Sequence, residues 1–208
     1  MAEKKVKPQK DLLNKDEELK ESDQEAARRL KMEKLVQEGI DVFPRQVKIT
    51  NSIFEVVEKF SMLSREELEE KKVKVKVAGR IISIRRMGRA TFFHLMDSRS
   101  RLQAYLREES VGKKDYQLFS LIDIGDIVSV EGILFKTNTG ELTVLARSYT
   151  FLAKCFHPLP EKWHGLQDTE LRYRKRYLDL IMNPKEQEVF RLRSAMISEL
   201  RKLFDQTG

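Results

Sequence analysis

Val73-Lys74-Val75-Lys76-Val77 alternates β-branched apolar residues with charged ones, the period-2 pattern of a half-buried strand. Two more short strands follow, Thr91-Phe92-Phe93-His94-Leu95-Met96-Asp97 and Arg101-Leu102-Gln103-Ala104-Tyr105-Leu106, joined by the turn-type residues Ser98 to Ser100. A helix is predicted over Lys114 to Ile122, ending at Asp123-Ile124-Gly125-Asp126. Beyond it lie a strand from Ile127 to Phe135, the turn Thr137-Asn138-Thr139-Gly140, and a last strand from Glu141 to Leu152.

Three strands, a helix and two strands is the order of the OB fold, an all-β barrel of five strands with one inserted helix. In that fold the second and third strands and two loops hold nucleic acid or sugar. Parity assigns the faces. Phe93, Leu95, Leu102, Ala104 and Leu106 fill the interior, leaving Phe92, His94, Arg101, Gln103 and Tyr105 outside. An aromatic, a ring nitrogen, an amide and a guanidinium together make a platform that can stack a base and then hydrogen-bond it. The same residues also fit ordinary solvated surface with Phe92 under a neighbouring helix.

Lys and Arg number 40 against 33 Asp and Glu, a net charge of +7, which favours a polyanionic partner. The preference is weak, because much of the excess sits in lysine-rich ends. No apolar run reaches the roughly 18 residues of a membrane span. Met1-Ala2-Glu3-Lys4-Lys5 lacks the apolar core of a signal peptide. Cys155 is the single cysteine, so no internal disulfide forms, and a cytoplasmic location is expected. Cys155 itself reads as a packed thiol closing the last strand. His94, His157 and His164 are too scattered to make a metal site.

Residues 1–21 read as a disordered lysine-rich tail. A helical extension over 22–72 begins at the capping box Ser22-x-x-Glu25 and stops first at Gly39. Its cations Arg28, Arg29, Lys31 and Lys34 form a solvated face or, alternatively, contact phosphate. Ile40-Asp41-Val42-Phe43-Pro44 is an apolar strap onto the barrel, and the boxes Ser52-x-x-Glu55 and Ser64-x-x-Glu67 start helices over 52–60 and 64–71. The barrel occupies 73–156. A linker over 157–182 opens with the proline-bounded run from His157 to Gly165 and continues in a helix from Thr169 to Met182. Asn183-Pro184-x-Glu186 then combines an N-cap, a first-turn proline and a glutamate at N3. The helix it starts, within 183–208, carries Val189, Leu192, Met196, Leu200 and Leu203 at helical spacing.

The segment from Leu159 to Ile181, with Lys162-Trp163-His164-Gly165-Leu166 and Arg176-Tyr177-Leu178-Asp179-Leu180, resembles class II lysyl-tRNA synthetases. So do Val77-Ala78-Gly79-Arg80 and Leu134-Phe135-Lys136-Thr137-Asn138-Thr139-Gly140-Glu141-Leu142. Aspartyl and asparaginyl relatives share the OB domain and the Arg176–Leu180 ending, but not the Lys162–Leu166 run. The resemblance implies an N-terminal OB domain that holds the anticodon of a lysine tRNA. It implies as well an ATP- and magnesium-dependent catalytic domain that attaches lysine to that tRNA, and a homodimer built on the helix from Asn183. The segment ends inside the first class II motif. This chain is therefore expected to hold no cofactor itself, to form no lysyl-adenylate alone, and to dimerise weakly or not at all.

Carried over residue by residue, the resemblance implies that Arg80, Phe92, Gln103 and Glu141 contact anticodon bases. His94 joins them on the platform, and Arg85, Arg86 and Arg89, around Gly88, supply phosphate contacts. Two rivals use the same residues: the corresponding region of an aspartyl-type enzyme, and a free-standing OB module for single-stranded nucleic acid. A third, an interaction protein acting through its last helix, predicts a defined partner and weak RNA binding.

Overall fold

The computed structural model describes residues 10–160 and 168–208, of which 10–22 are described as backbone only. The alternation at Val73 continues into a long strand, β1 (Lys74–Met87), followed by β2 (Ala90–Met96), β3 (Arg101–Arg107), β4 (Ile127–Lys136) and β5 (Leu142–Ala153). They close a barrel in the order β1-β2-β3-β5-β4. Every neighbouring pair is antiparallel except β3 with β5. The residues expected inside are inside: Phe93, Leu95, Leu102, Ala104 and Leu106 are each at most 2% exposed. Phe119 and Ile122 extend that core, the Phe119 ring lying 4.9 Å from Phe93.

Two glycines are set by close approach. A Cβ on Gly132, at the bulge between β4 and β5, would lie 2.0 Å from the Leu145 carbonyl oxygen, so no side chain fits there. One on Gly79 would sit 2.8 Å from Ile53 Cδ1, where helix α2 (Ile53–Phe60) crosses β1.

The helices depart from expectation in four places. Helix α1 runs Lys10–Gln37, so the Ser22 box lies inside it and is not its start. Residues 10–21 are mostly strong helix formers without Gly or Pro, and nothing in them stops the helix. The rest of the tail, residues 1–9, lies outside the described residues. The inserted helix is two pieces, α4 (Glu108–Val111) and α5 (Lys113–Phe119), because Gly112 adopts φ 90. It stops at Phe119 because the amides of Ser120, Leu121 and Ile122 bond back only three residues. The predicted Thr169–Met182 helix is likewise split at Lys175 into α6 (Thr169–Arg174) and α7 (Arg176–Met182). Finally, Asn183 makes no side-chain cap on α8 (Pro184–Thr207).

Other local readings hold. Gly39 ends α1 at φ 80, and both capping boxes are formed, on α2 and on α3 (Arg65–Lys71). Ile40 and Val42 of the strap pack on the core, whereas Phe43 is largely exposed.

One buried ionic cluster ties α1 to the barrel. The fully buried Lys154 ammonium donates to Asp126 Oδ2 at 2.8 Å, to Asp123 Oδ2 at 2.7 Å and to the Leu121 carbonyl at 3.2 Å. Asp126 also accepts the amides of Asp123 and Cys155, each at 2.8 Å. From α1, Lys31 reaches Asp123 Oδ1 at 2.5 Å, Arg28 donates to the Cys155 carbonyl at 2.6 Å, and Arg29 lies over the Phe156 ring. Three of the four cations weighed for phosphate contact are thus turned onto the barrel. Cys155 is half-buried, its thiol donating to the His157 carbonyl.

Residues 159–208 form a second compact unit, within which 161–167, including Trp163 and His164, lie outside the described residues. Its centre is the buried Asp179, which accepts from Arg172 Nε at 2.9 Å, Asn183 Nδ2 at 2.6 Å and Arg176. Burial pushes that carboxyl up, but the bonds from Arg172 and Asn183 outweigh it and hold it below the usual carboxylate range. Asn183 donates to Asp179 and caps no amide of α8, and Glu186 binds Arg172 at 2.6 Å. On α8, Val189, Leu192, Met196, Leu200 and Leu203 are 50–64% exposed.

Replacing Lys154 by Ala leaves the buried Asp126 without its cation and Asp123 with Lys31 alone. It is expected to cost about 3–5 kcal/mol in a denaturant titration. Burial raises the Asp123 pKa, but Lys154 and Lys31 together bring it below the ordinary value. A depressed carboxylate stabilises fully above its unfolded pKa of about 3.9 and loses that contribution as pH falls through the lower folded value. Asp123→Asn should therefore flatten the acid limb of the stability profile, read as unfolding midpoints below about pH 4.

Candidate nucleic-acid interface

The outer face of the barrel is ordered by cross-strand register. Arg85 on β1 stands opposite Phe92 on β2, which stands opposite Tyr105 on β3, beside Leu145 on β5. Two residues along, roughly 7 Å away, a second row runs Ser83, His94, Gln103 and Thr143. The first row holds a stacked aromatic pair: the Phe92 and Tyr105 rings lie 4.2 Å apart at 14°. Phe135 is tilted against Tyr105 at 6.3 Å, and Arg107 approaches its ring at 5.9 Å.

The second row is polar and converges on Glu141, at the end of the turn before β5. Thr137 fixes the Glu141 backbone, accepting its amide at 3.1 Å through Oγ1 and donating its own amide to the Glu141 carbonyl at 3.0 Å. Gly140 closes the turn at φ 82. The Glu141 carboxylate accepts from Gln103 Nε2 at 2.7 Å through Oε2 and lies 2.9 Å from His94 Nε2 through Oε1. Behind them, Thr143 donates to Gln103 Oε1 at 2.8 Å, and Ser83 Oγ lies 2.8 Å from His94 Nδ1. An ionised carboxylate offers about four acceptor positions, of which these contacts use two.

A bulge makes the rows possible. Register passes from Ile81 opposite Leu95 to Ser83 opposite His94, so Ile82 has no partner on β2. Before the bulge even-numbered residues of β1 face out; after it, odd-numbered ones do.

The structure brings Phe92, His94, Gln103 and Glu141 together, with Arg85 beside Phe92. It does not bring in Arg80 or Arg86. Arg80 shares the outer face but lies opposite Met96, and its guanidinium donates to the Gly125 carbonyl at 2.8 Å. Arg86 points the other way and donates to the carbonyls of Ser120 and Ile122 at 3.3 and 3.1 Å. The stretch read as a loop is strand as far as Met87, and only Gly88 and Arg89 form the turn, Gly88 at φ 58. Ser83, Tyr105 and Thr143 were not singled out for the site by sequence. Parity did place Tyr105 on the right face, whereas the bulge concealed Ser83.

A stack beside an acceptor-rich carboxylate and an oriented amide suits a flat ligand with hydrogen-bonding edges. Residues 75–152 match the tRNA anti-codon family model, described as an OB-fold nucleic acid binding domain. Beyond the barrel, the chain is similar to lysine–tRNA ligases. Those of Bacillus cereus (strain G9842), Bacillus mycoides (strain KBAB4) and Bacillus cytotoxicus are each 46% identical to it over 187 residues. The match takes in 90% of this chain and 38% of the length of those relatives.

The two neighbouring arginines should separate in solution. Arg85→Ala is expected to weaken binding of single-stranded RNA and lower the log–log salt slope by about 1. Arg86→Ala should leave that slope alone and cost about 1–3 kcal/mol of stability, because it strands two helix-end carbonyls. Salt-dependent titrations and denaturant melts of both variants check this.

Proposed function

We propose that the outer face of the barrel reads the anticodon of a lysine tRNA. The observation that carries this reading is the Glu141 carboxylate, held by Gln103 and His94 beside the Phe92–Tyr105 stack, partly exposed and with acceptor capacity that these two contacts do not use. A uracil stacked on Phe92 offers an N3–H donor to Glu141, and the second Gln103 N–H can donate to a uracil carbonyl. Cytosine puts a lone pair at N3, facing the carboxylate without a hydrogen between them. Such a mismatch costs about 1–3 kcal/mol by analogy with direct readout in duplexes. Arg85 and Arg89 supply charge for phosphates, which positions the loop without specifying it.

The activity named for the relatives, ligation of lysine to tRNA, is carried over as the function of the whole protein, using ATP and magnesium, in the cytoplasm and as a homodimer. Similarity over 90% of the chain supports it, as does the exposed apolar face of α8. Among the described residues no group of three or more His, Cys, Asp or Glu is placed to hold a metal ion, and no helix is long and apolar enough to cross a membrane. No step of the chemistry is assigned to these residues.

Phe92→Ala should weaken binding of every anticodon stem–loop alike, by about 1–3 kcal/mol, since all bases present a face to stack. Glu141→Gln should instead relax the preference for uridine over cytidine, because the amide can turn its NH2 toward cytosine N3. Titrations with uridine and cytidine loops at one salt concentration test both. A Glu141→Gln protein that lost affinity yet kept its preference would refute the base-reading role.

A further inference from the structure

Each donor on Glu141 is itself oriented by a hydroxyl one strand further out. On one side the path runs from Ser83 on β1 through His94 on β2; on the other it runs from Thr143 on β5 through Gln103 on β3. The protonation pattern follows from the ends. An ionised carboxylate only accepts, so the hydrogen on His94 must sit on Nε2, and the Nδ1 of the neutral ring then accepts from Ser83. On the Gln103 side the Thr143 hydroxyl donates to Oε1, which turns the NH2 toward Glu141. Its single hydrogen is shared with the Glu141 backbone carbonyl, 3.1 Å away.

The other tautomer of His94, or a flipped Gln103 amide, would present a lone pair to the carboxylate and push it aside. Few other restraints act on it, for the Glu141 side chain is 46% exposed and stands on a turn. Ser83 reaches His94 only because the Ile82 bulge turns it outward.

We propose that Ser83 and Thr143 are positioning residues for base discrimination. Acting through His94 and Gln103, they aim the free lone pairs of Glu141 and so set how sharply the site separates a base with a donor at that edge from one with a lone pair. The inference rests on the base-reading role proposed for Glu141.

The test uses Ser83→Ala, Ser83→Thr, Thr143→Val and Thr143→Ser in the 208-residue chain. The probes are one stem–loop RNA with a uridine loop and its cytidine-substituted copy, titrated at fixed salt. Ser83→Ala and Thr143→Val should each reduce the uridine-to-cytidine affinity ratio about three- to tenfold, the worth of one oriented hydrogen bond. Ser83→Thr and Thr143→Ser, which keep the hydroxyl, should restore it. Nitrogen-15 shifts of the His94 ring should report Nε2–H in the parent chain and a tautomer mixture in Ser83→Ala.

If Glu141→Gln abolishes the ratio while Ser83→Ala and Thr143→Val retain it, the positioning role is wrong and base reading stands. If the ratio falls but the hydroxyl-keeping variants do not restore it, the loss is packing damage and the proposal is overturned. A parent chain without any preference for uridine would overturn both readings.

Discussion

The Lys154 ammonium, enclosed with Asp123 and Asp126, is the constraint on which the rest of the barrel depends. An ammonium taken from water is tolerable only with its carboxylates in place, so the turn that supplies them has no alternative conformation of similar energy. That turn in turn grips β1. The Ile81 amide donates to the Asp126 carbonyl and the Gly125 amide to the Ile81 carbonyl, both at 2.8 Å, while the Arg80 side chain binds the Gly125 carbonyl. The next residue, Ile82, is the bulge. A buried charge at one end of the barrel therefore defines where β1 changes parity, and with it which hydroxyl faces His94.

The same chain of dependence explains which parts of the molecule were legible in the sequence. Period-2 alternation located the start of β1, and parity separated Phe93 and Leu95 from Phe92 and His94, because burial of one sheet face leaves a direct imprint on residue type. The capping boxes at Ser52 and Ser64 were readable because they are local, complete within four residues, whereas the same pattern at Ser22 lies inside α1. What failed was non-local. No pattern announces an unpaired Ile82, so Arg85 and Arg86 read alike as phosphate contacts and Arg80 as a base contact, although Arg80 and Arg86 are committed to carbonyls of the 120–125 segment. Asn183 has the residue type of an N-cap, yet its Nδ2 donates to the buried Asp179, and its oxygen caps none of the first amides of α8.

The site separates two tasks between two rows of side chains. The aromatic row has its ring pair already in contact, so little side-chain freedom remains to be lost when a base settles on it. In the reading proposed above, the polar row would exclude the wrong hydrogen-bonding pattern, and for that the direction of a lone pair matters more than the strength of any contact. Hydroxyls from the outer strands of the row supply that direction.

Barrel closure also bears on how the molecule is made. His94 and Gln103 come from the β2–β3 hairpin, whereas Glu141 comes from the β4–β5 hairpin, at sequence separations of 47 and 38 residues. Each hairpin can form locally, but the parallel β3–β5 ladder must bring the two together across a long loop whose closure entropy delays it. During synthesis the aromatic row is therefore assembled before the carboxylate arrives. On the proposed base-reading role, a nascent chain caught at that stage would hold the rings without the carboxylate, so discrimination would be a property of the finished topology alone.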